Sequence, residues 1–324
     1  MVGWRSGRVP LAIDFYLYAA LTLAAVLCAV LGGNNFSTCL GASLGAGIVK
    51  LSDAMLIASV GVLAGTLFEG YKLSNVLGGQ ILPVLSISGL VVILLAGLSV
   101  MAVVTLFRLP LSLSQVLVGA GWGLALANGV RVANTFSLTV VVSWVLSPVL
   151  GFCVSAIIET VMLRFGHRAK DVLALNRTYA RLTLIAGFYA AYTLGANTLG
   201  LVVGLFSSSL GDRLPLSIVL SAATIVGIMF LSKGTVRSVA DNLVGLSPSM
   251  ALSAQFGGAM SAHVFTQLSL PVSISQVVIG GMSGAASAKR MAITNKRIIQ
   301  QVIAGWTIGP LAGAIVSFLL MKLI

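Results

Sequence analysis

Gly32-Gly33-Asn34-Asn35-Phe36-Ser37-Thr38-Cys39-Leu40-Gly41-Ala42-Ser43 stands directly behind an apolar run of about twenty residues, the length that crosses a bilayer. Glycine and asparagine at that depth predict a break in a membrane helix. Backbone left unpaired in hydrocarbon is costly unless it lines a cavity or binds something. An altered copy, Gly195-Ala196-Asn197-Thr198, follows a second apolar run. Paired breaks at matching places in two halves of one chain point to the substrate site of a transporter.

Composition agrees. Of 324 residues, 58% are hydrophobic and 8% are charged, against about 25% charged in a soluble domain. Mean hydropathy is +1.08. These values describe an integral protein of the cell membrane, multi-pass and all-α, with no soluble domain of any size. The roughly ten-residue alternation of a membrane β-barrel is absent, and the 36 glycines suit closely packed membrane helices. The net charge of +12 sits in loops between apolar runs. There it sets orientation and meets anionic lipid, so the expected partner is the bilayer and no nucleic acid. Cys28, Cys39 and Cys153 lack metal-ligand spacing and read as packing residues. The apolar run after Arg5 and Arg8 lacks a small-residue cleavage site, so it reads as a first span rather than a removed signal peptide.

The chain is internally duplicated. Leu109-Pro110-Leu111-Ser112-Leu113-Ser114-Gln115-Val116-Leu117-Val118-Gly119 returns as Leu270-Pro271-Val272-Ser273-Ile274-Ser275-Gln276-Val277-Val278-Ile279-Gly280, and 270 minus 109 is 161. Trp144, Pro148 and Gly151 return as Trp306, Pro310 and Gly313 at an offset of 162, and Asn34 returns as Asn197 at 163. The expected organisation is a first repeat over 1–163, a basic cytoplasmic connector over 164–181 and a second repeat over 182–324. Each repeat would hold about five spans. The short segments 36–49, 112–128 and 273–288 read as half-helices, re-entrant hairpins or tightly packed central spans. Arg164, Arg168, Lys170, Arg177 and Arg181 place the connector inside by the positive-inside rule. Lys289, Arg290, Lys296 and Arg297 mark a second inside loop, whose first-half counterpart carries only Arg131. Unequal charge on corresponding loops predicts inverted topology, with both termini outside; Arg5 and Arg8 run against that orientation.

No catalytic constellation is legible, so no enzyme is expected. His167 lies in the basic loop and His263 in an apolar run, where a packed or paired histidine is the ordinary case. The acidic residues Asp14, Asp53, Glu69, Glu159, Asp171, Asp212 and Asp241 are spread out and form no close pair with one another. Most sit near ends of spans. Asp14 and Glu69 are those that could lie deeper and carry protons.

The polar residues that cluster are uncharged: Asn34, Asn35, Ser37, Thr38 and Ser43, then Ser112, Ser114 and Gln115. In the second half they are Asn197 and Thr198, then Ser273, Ser275 and Gln276. Pro110 and Pro271 stand where proline is tolerated at a helix start. A helix N-terminus offers free N–H groups and roughly half a positive charge. Two such termini with serine hydroxyls and asparagine amides can hold a tetrahedral oxyanion without lysine or arginine, and release it. The expected substrate residues are Asn34, Ser112, Ser114, Gln115, Asn197, Ser273, Ser275 and Gln276.

These same motifs resemble those of the inorganic phosphate transporter (PiT) family, which includes sulfate permeases. Gly32 to Cys39 and Leu40 to Ala46 resemble its G-A-N-D-V-A-N-A and F-G-T-S-V-G-S signatures. Gly195-Ala196-Asn197-Thr198 begins the second copy and Gly204 ends it. Pro110 to Gln115 and Pro271 to Gln276 resemble P-V-S-T-T-H. Ser143 to Pro148 and, more loosely, Gly305 to Pro310 resemble S-W-x-x-S/T-P, and Pro248 also fits. The resemblance implies a dimeric secondary transporter of inverted repeats that moves phosphate, or sulfate, with Na⁺ or H⁺ and no other cofactor. It also implies cation-coupling positions at Asn35, Thr38 and Thr198. The signature aspartates are replaced by Asn35 and Thr198, the second asparagine by Thr38 and Leu201, and the histidine by Gln115 and Gln276. A Na⁺ site is expected to use the missing carboxylates as charged oxygen ligands.

Overall fold

The computed structural model describes residues 11–82, 85–107, 111–132, 134–166, 170–207, 209–210, 212–234, 247–291 and 296–323. Arg5, Arg8, Arg108, Pro110, His167, Arg168 and Asp241 lie outside the described residues, as do the side chains of Asp14, Lys296 and Arg297.

Helices make up nearly all of it. They are α1 (Leu11–Gly45), α2 (Leu51–Glu69), α3 (Ile87–Phe107), α4 (Leu113–Ala127), α5 (Asn134–Gly166) and α6 (Val172–Leu194). A single π-helical turn, Gly195–Leu199, leads into the short α7 (Gly200–Gly204). Then come α8 (Arg213–Leu231), α9 (Pro248–Gln267), α10 (Ile274–Ala288) and α11 (Lys296–Leu323). By length and composition, 5 helices among the described residues can cross a membrane: α1, α2, α5, α8 and α11. Hydrocarbon-facing side chains stay exposed on them, such as Phe15, Leu56, Phe68, Leu146 and Phe230, while Leu27, Leu31, Leu94, Leu117 and Phe206 fill the core.

The stretch Gly32 to Asn35 does not break its helix. It lies inside an uninterrupted α1 of 35 residues, so 36–49 is not a separate half-helix. The glycines serve close approach instead. A Cβ on Gly32 would lie 2.1 Å from the Thr224 carbonyl oxygen, and one on Gly33 would lie 2.6 Å from Leu231 Cβ. Helix α8 therefore crosses α1 backbone to backbone at this point. Two of the polar side chains bond within the turn. Asn35 donates to the Leu31 carbonyl at 3.3 Å, and Ser37 donates to the Asn34 carbonyl at 3.3 Å. Local side-chain bonds of this kind keep polar residues tolerable in a membrane helix. In the second copy the regular helix does give way, but to the π turn rather than to a gap. There a Cβ on Gly195 would sit 2.2 Å from the Val62 carbonyl oxygen.

Helices α4 and α10 have 15 residues each. At 1.5 Å per residue they rise about 22 Å, short of the ~30 Å hydrocarbon core. Each starts from an extended residue, Ser112 (φ −101°, ψ 122°) and Ser273 (φ −91°, ψ 108°). Glycines seat them against long helices carrying an internal proline. A Cβ on Gly119 of α4 would lie 2.0 Å from the Pro310 carbonyl oxygen in α11, and one on Gly280 of α10 would lie 2.2 Å from that of Pro148 in α5. Likewise Gly65 of α2 meets the Tyr192 carbonyl of α6 (1.8 Å), and Gly227 of α8 meets that of Ala29 in α1 (1.9 Å). Each contact has a counterpart with the two halves of the chain exchanged. The basic stretch 164–181 is largely helical: α5 runs to Gly166, and α6 starts at Val172 behind Asp171, which accepts from the Ala174 N–H at 2.9 Å.

Candidate functional site

The first turns of α4 and α10 meet. Gln115 and Gln276, the third residues of these helices, exchange two hydrogen bonds. Gln115 Nε2 donates to Gln276 Oε1 at 3.2 Å, and Gln276 Nε2 donates to Gln115 Oε1 at 3.1 Å. Both are buried. A residue pairing with its own repeat counterpart lies where exchange of the halves maps the contact onto itself.

Two hydroxyl clusters flank the amide pair. Ser114 donates to Thr198 Oγ1 at 3.3 Å. Ser275 donates to Asn35 Oδ1 at 3.2 Å, and its hydroxyl lies 3.2 Å from Thr38 Oγ1. Each cluster joins a short helix of one half to the signature stretch of the other. The π turn presents Thr198 here. Such turns inside α-helices are frequent at functional sites.

Ser273 caps α10, accepting from the Gln276 N–H at 3.4 Å. Ser112 occupies the same place on α4, buried and without a side-chain cap bond. Asn197 is engaged by the scaffold. It donates to Thr266 Oγ1 (2.9 Å) and the Leu270 carbonyl (3.1 Å), and accepts from the Val272 N–H (3.1 Å). Its amide pins the turn between α9 and α10 that sets the start of α10. Trp144 holds the same turn, donating to the Pro271 carbonyl at 2.8 Å. Asn34 lies on α1 one residue before Asn35, and it too has an interaction partner. The structure thus brings together Ser114, Gln115, Thr198, Ser275, Gln276, Asn35 and Thr38. Ser112 and Ser273 sit at the helix starts, and Asn197 stands behind them.

Three polar groups have partners that the sequence does not name. Gln255 of α9 is buried, donates to the Cys39 carbonyl and accepts from Ser43 at 2.9 Å, tying α9 to α1. Glu159 of α5 is buried, accepts from Ser249 (2.8 Å) and Ser253 (2.6 Å), and lies 3.5 Å from Lys289 Nζ. Glu69 of α2 pairs with His263 of α9 at 2.8 Å. An ionisable residue inside an apolar run was the available signal; the partners come from distant helices. Among the described residues no group of His, Cys, Asp or Glu could hold a metal. Neutral donors thus surround the meeting of the short helices, an arrangement that suits an anion.

The model of a family described as the phosphate transporter family matches residues 31–317. A chain of Methanocaldococcus jannaschii named as a phosphate permease is 25% identical over 97% of this chain and 100% of its own length. The sulfate permease CysP of Bacillus subtilis is 24% identical over 96% of this chain and 87% of its own. A solved structure titled as the sodium-dependent phosphate transporter superposes with a TM-score of 0.82 at 21% identity, covering 96% of this chain and 100% of that one. That likeness establishes the fold.

Proposed function

This chain belongs to the phosphate transporter family, and on that premise we propose that it is a permease that carries inorganic phosphate across the cell membrane by alternating access. The observation that carries the reading is the meeting of two helix starts through Gln115 and Gln276, flanked by Ser114 with Thr198 and Ser275 with Asn35. Phosphate would displace these mutual hydrogen bonds and take N–H and O–H donors from both halves at once. Hydrogen bonds to a charged acceptor are about twice as strong as neutral ones, so a bound oxyanion offsets the bonds it breaks. Ser112 and Ser273 add donors at the helix starts. Asn34 and Asn197 hold the neighbouring signature stretches in place.

The reading takes residues 1–163 and 182–324 as inverted repeats joined by the basic connector 164–181 on the cytoplasmic side. The crossed glycine contacts support an exchange of halves, and the unequal loop charges support inversion. Alternating access then follows as one bundle moves against the other around a fixed site. The protein works as a homodimer in this reading, as the sequence resemblance implies. Coupling is to Na⁺ or H⁺, with Asn35, Thr38 and Thr198 at the positions of the family's cation ligands.

Sulfate is the second reading. The similarity to a sulfate permease and the neutral residues at Asn35 and Thr198 favour it. In proteoliposomes, saturable uptake of labelled phosphate that excess sulfate does not suppress supports the first reading. Preference for sulfate supports the second. No saturable uptake of either anion, under any imposed Na⁺ or pH gradient, removes both.

A further inference from the structure

We propose that Glu69 and His263 form a proton-binding pair that couples anion transport to H⁺; the proposal rests on the reading of the chain as an oxyanion carrier. Glu69 ends α2, and His263 lies on α9 with Nε2 2.8 Å from Glu69 Oε2; the side chains are 22% and 20% exposed. Tyr189 of α6 places its hydroxyl 2.7 Å from His263 Nδ1. Gln267 donates to Glu69 Oε2 at 2.7 Å, and the Tyr192 ring of α6 lies 6.0 Å from the His263 ring, centre to centre. On the following turn, Tyr71 and Lys72 are the neighbouring titratable groups, with Lys72 Nζ 5.6 Å from the Tyr71 ring centre.

Packing alone does not call for these residues. By the repeat offsets, the places corresponding to His263, Glu69, Tyr189, Tyr192 and Gln267 hold Ala102, Leu231, Val26, Ala29 and Leu106. The corresponding places in the other half are thus apolar in sequence. An ionisable residue inside a membrane is costly and marks an ion or proton path. Glu159 is also buried, but Lys289 and two serines hold its charge. Glu69 and His263 keep part of their surface open. With the signature carboxylates replaced by Asn35 and Thr198, they supply a titratable pair that the anion site lacks.

The hydrogen bonds define how one proton is taken up. The Gln267 amide nitrogen also approaches His263 Nε2, at 2.5 Å. With His263 neutral, the Tyr189 hydroxyl donates to Nδ1 and the Nε2–H donates to Glu69; the tautomer is assigned from Tyr189 and the carboxylate. The pair then carries one negative charge. A proton from water adds to Nδ1, the Tyr189 hydroxyl turns to accept from it, and the pair becomes neutral. Release returns the same proton to water on the other side. A neutral pair moves through a low-dielectric interior at lower cost than a charged one, so reorientation is favoured with the proton bound. The link to the anion site is short. Thr266, three residues after His263 on α9, accepts from Asn197, and Tyr192 stands three residues before the π turn that presents Thr198.

The test uses the wild type, Glu69→Gln and His263→Gln in proteoliposomes with inorganic phosphate. Counterflow of labelled phosphate at equal pH reads carrier function without a driving gradient. Accumulation under an acid-outside gradient, with internal pH followed by a trapped dye, reads coupling. A gradient of 1 pH unit sustains about tenfold accumulation per coupled proton. The wild type should accumulate phosphate with H⁺ entry. Glu69→Gln, which leaves the pair uncharged, should keep counterflow and lose accumulation and the accompanying H⁺; His263→Gln, which leaves the carboxylate charged, should lose both accumulation and H⁺ entry and slow counterflow. Tyr189→Phe, which keeps the ring and removes the hydroxyl from Nδ1, should shift the pH profile of gradient-driven uptake. Variants that accumulate phosphate with H⁺ like the wild type, an unshifted Tyr189→Phe profile, or a wild type that moves phosphate without H⁺ each overturn the pair's role. A wild type without phosphate counterflow instead overturns the carrier reading beneath it.

Discussion

Replacing Gln115 or Gln276 by leucine separates what the amide pair does for stability from what it does for the anion. The two side chains are 0% and 2% exposed and share two hydrogen bonds of 3.2 and 3.1 Å. Gln115→Leu removes both bonds and leaves the Gln276 amide buried with its donor and acceptor unmet. Stranding a buried polar group costs about 1–3 kcal/mol. Gln276→Leu should cost the same by symmetry. The double variant strands nothing, since two leucines replace two amides of similar volume, and its stability should return to near the wild-type value. The interaction energy of the cycle, the double effect less both single effects, is then about 2–6 kcal/mol in magnitude. Thermal unfolding of the four detergent-solubilised proteins measures it. Phosphate affinity should not return with stability. The double variant loses two amide donors, each worth about 1.5–3 kcal/mol to a charged acceptor, so its Kd should rise by about a hundredfold or more. If the single effects add within about 0.5 kcal/mol in the double variant, the amides do not support one another. If the double variant binds phosphate like the wild type, they are not part of the site.

Ser114→Ala with Ser275→Ala should weaken phosphate binding without loss of folded protein, because the bonds removed, to Thr198, Asn35 and Thr38, join small polar side chains; unchanged affinity in titration calorimetry would remove both hydroxyls from the site. Gly65→Ala puts a Cβ 1.8 Å from the Tyr192 carbonyl oxygen, where α2 and α6 would have to part by roughly 1.5 Å to regain ordinary contact. Such overpacking costs about 1–3 kcal/mol. Gly234→Ala, where nothing lies within 4 Å, should stay within about 0.5 kcal/mol of the wild type; equal melting of the two variants would refute the close crossing.

Much of the candidate site was legible because it is written twice. The Ser-x-Ser-Gln runs recur, and the structure brings their first turns together through Gln115 and Gln276. A glycine's purpose was not legible. Gly32 and Gly33 carry the same letters whether they open a helix or let another helix approach, and the deciding neighbours, Thr224 and Leu231, come from the far half. Nor does a sequence say where a donor is spent. Asn197 reads as a ligand by its type and repetition, yet its amide is fully engaged by Thr266, Leu270 and Val272. Its contribution is to place α10, and through α10 the serine and glutamine that face the other half. Glu69 and His263 went unpaired for a related reason: their contact joins α2 to α9 across 194 residues of sequence, and no local spacing encodes it. Duplication makes the shared machinery visible, since the same donors must appear in both halves. What distinguishes one direction of the cycle from the other must break that duplication. A carrier built of two equal halves around an amide pair has no intrinsic place to bind a proton on one side only. In the proposed carrier the Glu69–His263 pair, matched in the other half by Leu231 and Ala102, is the source of that asymmetry.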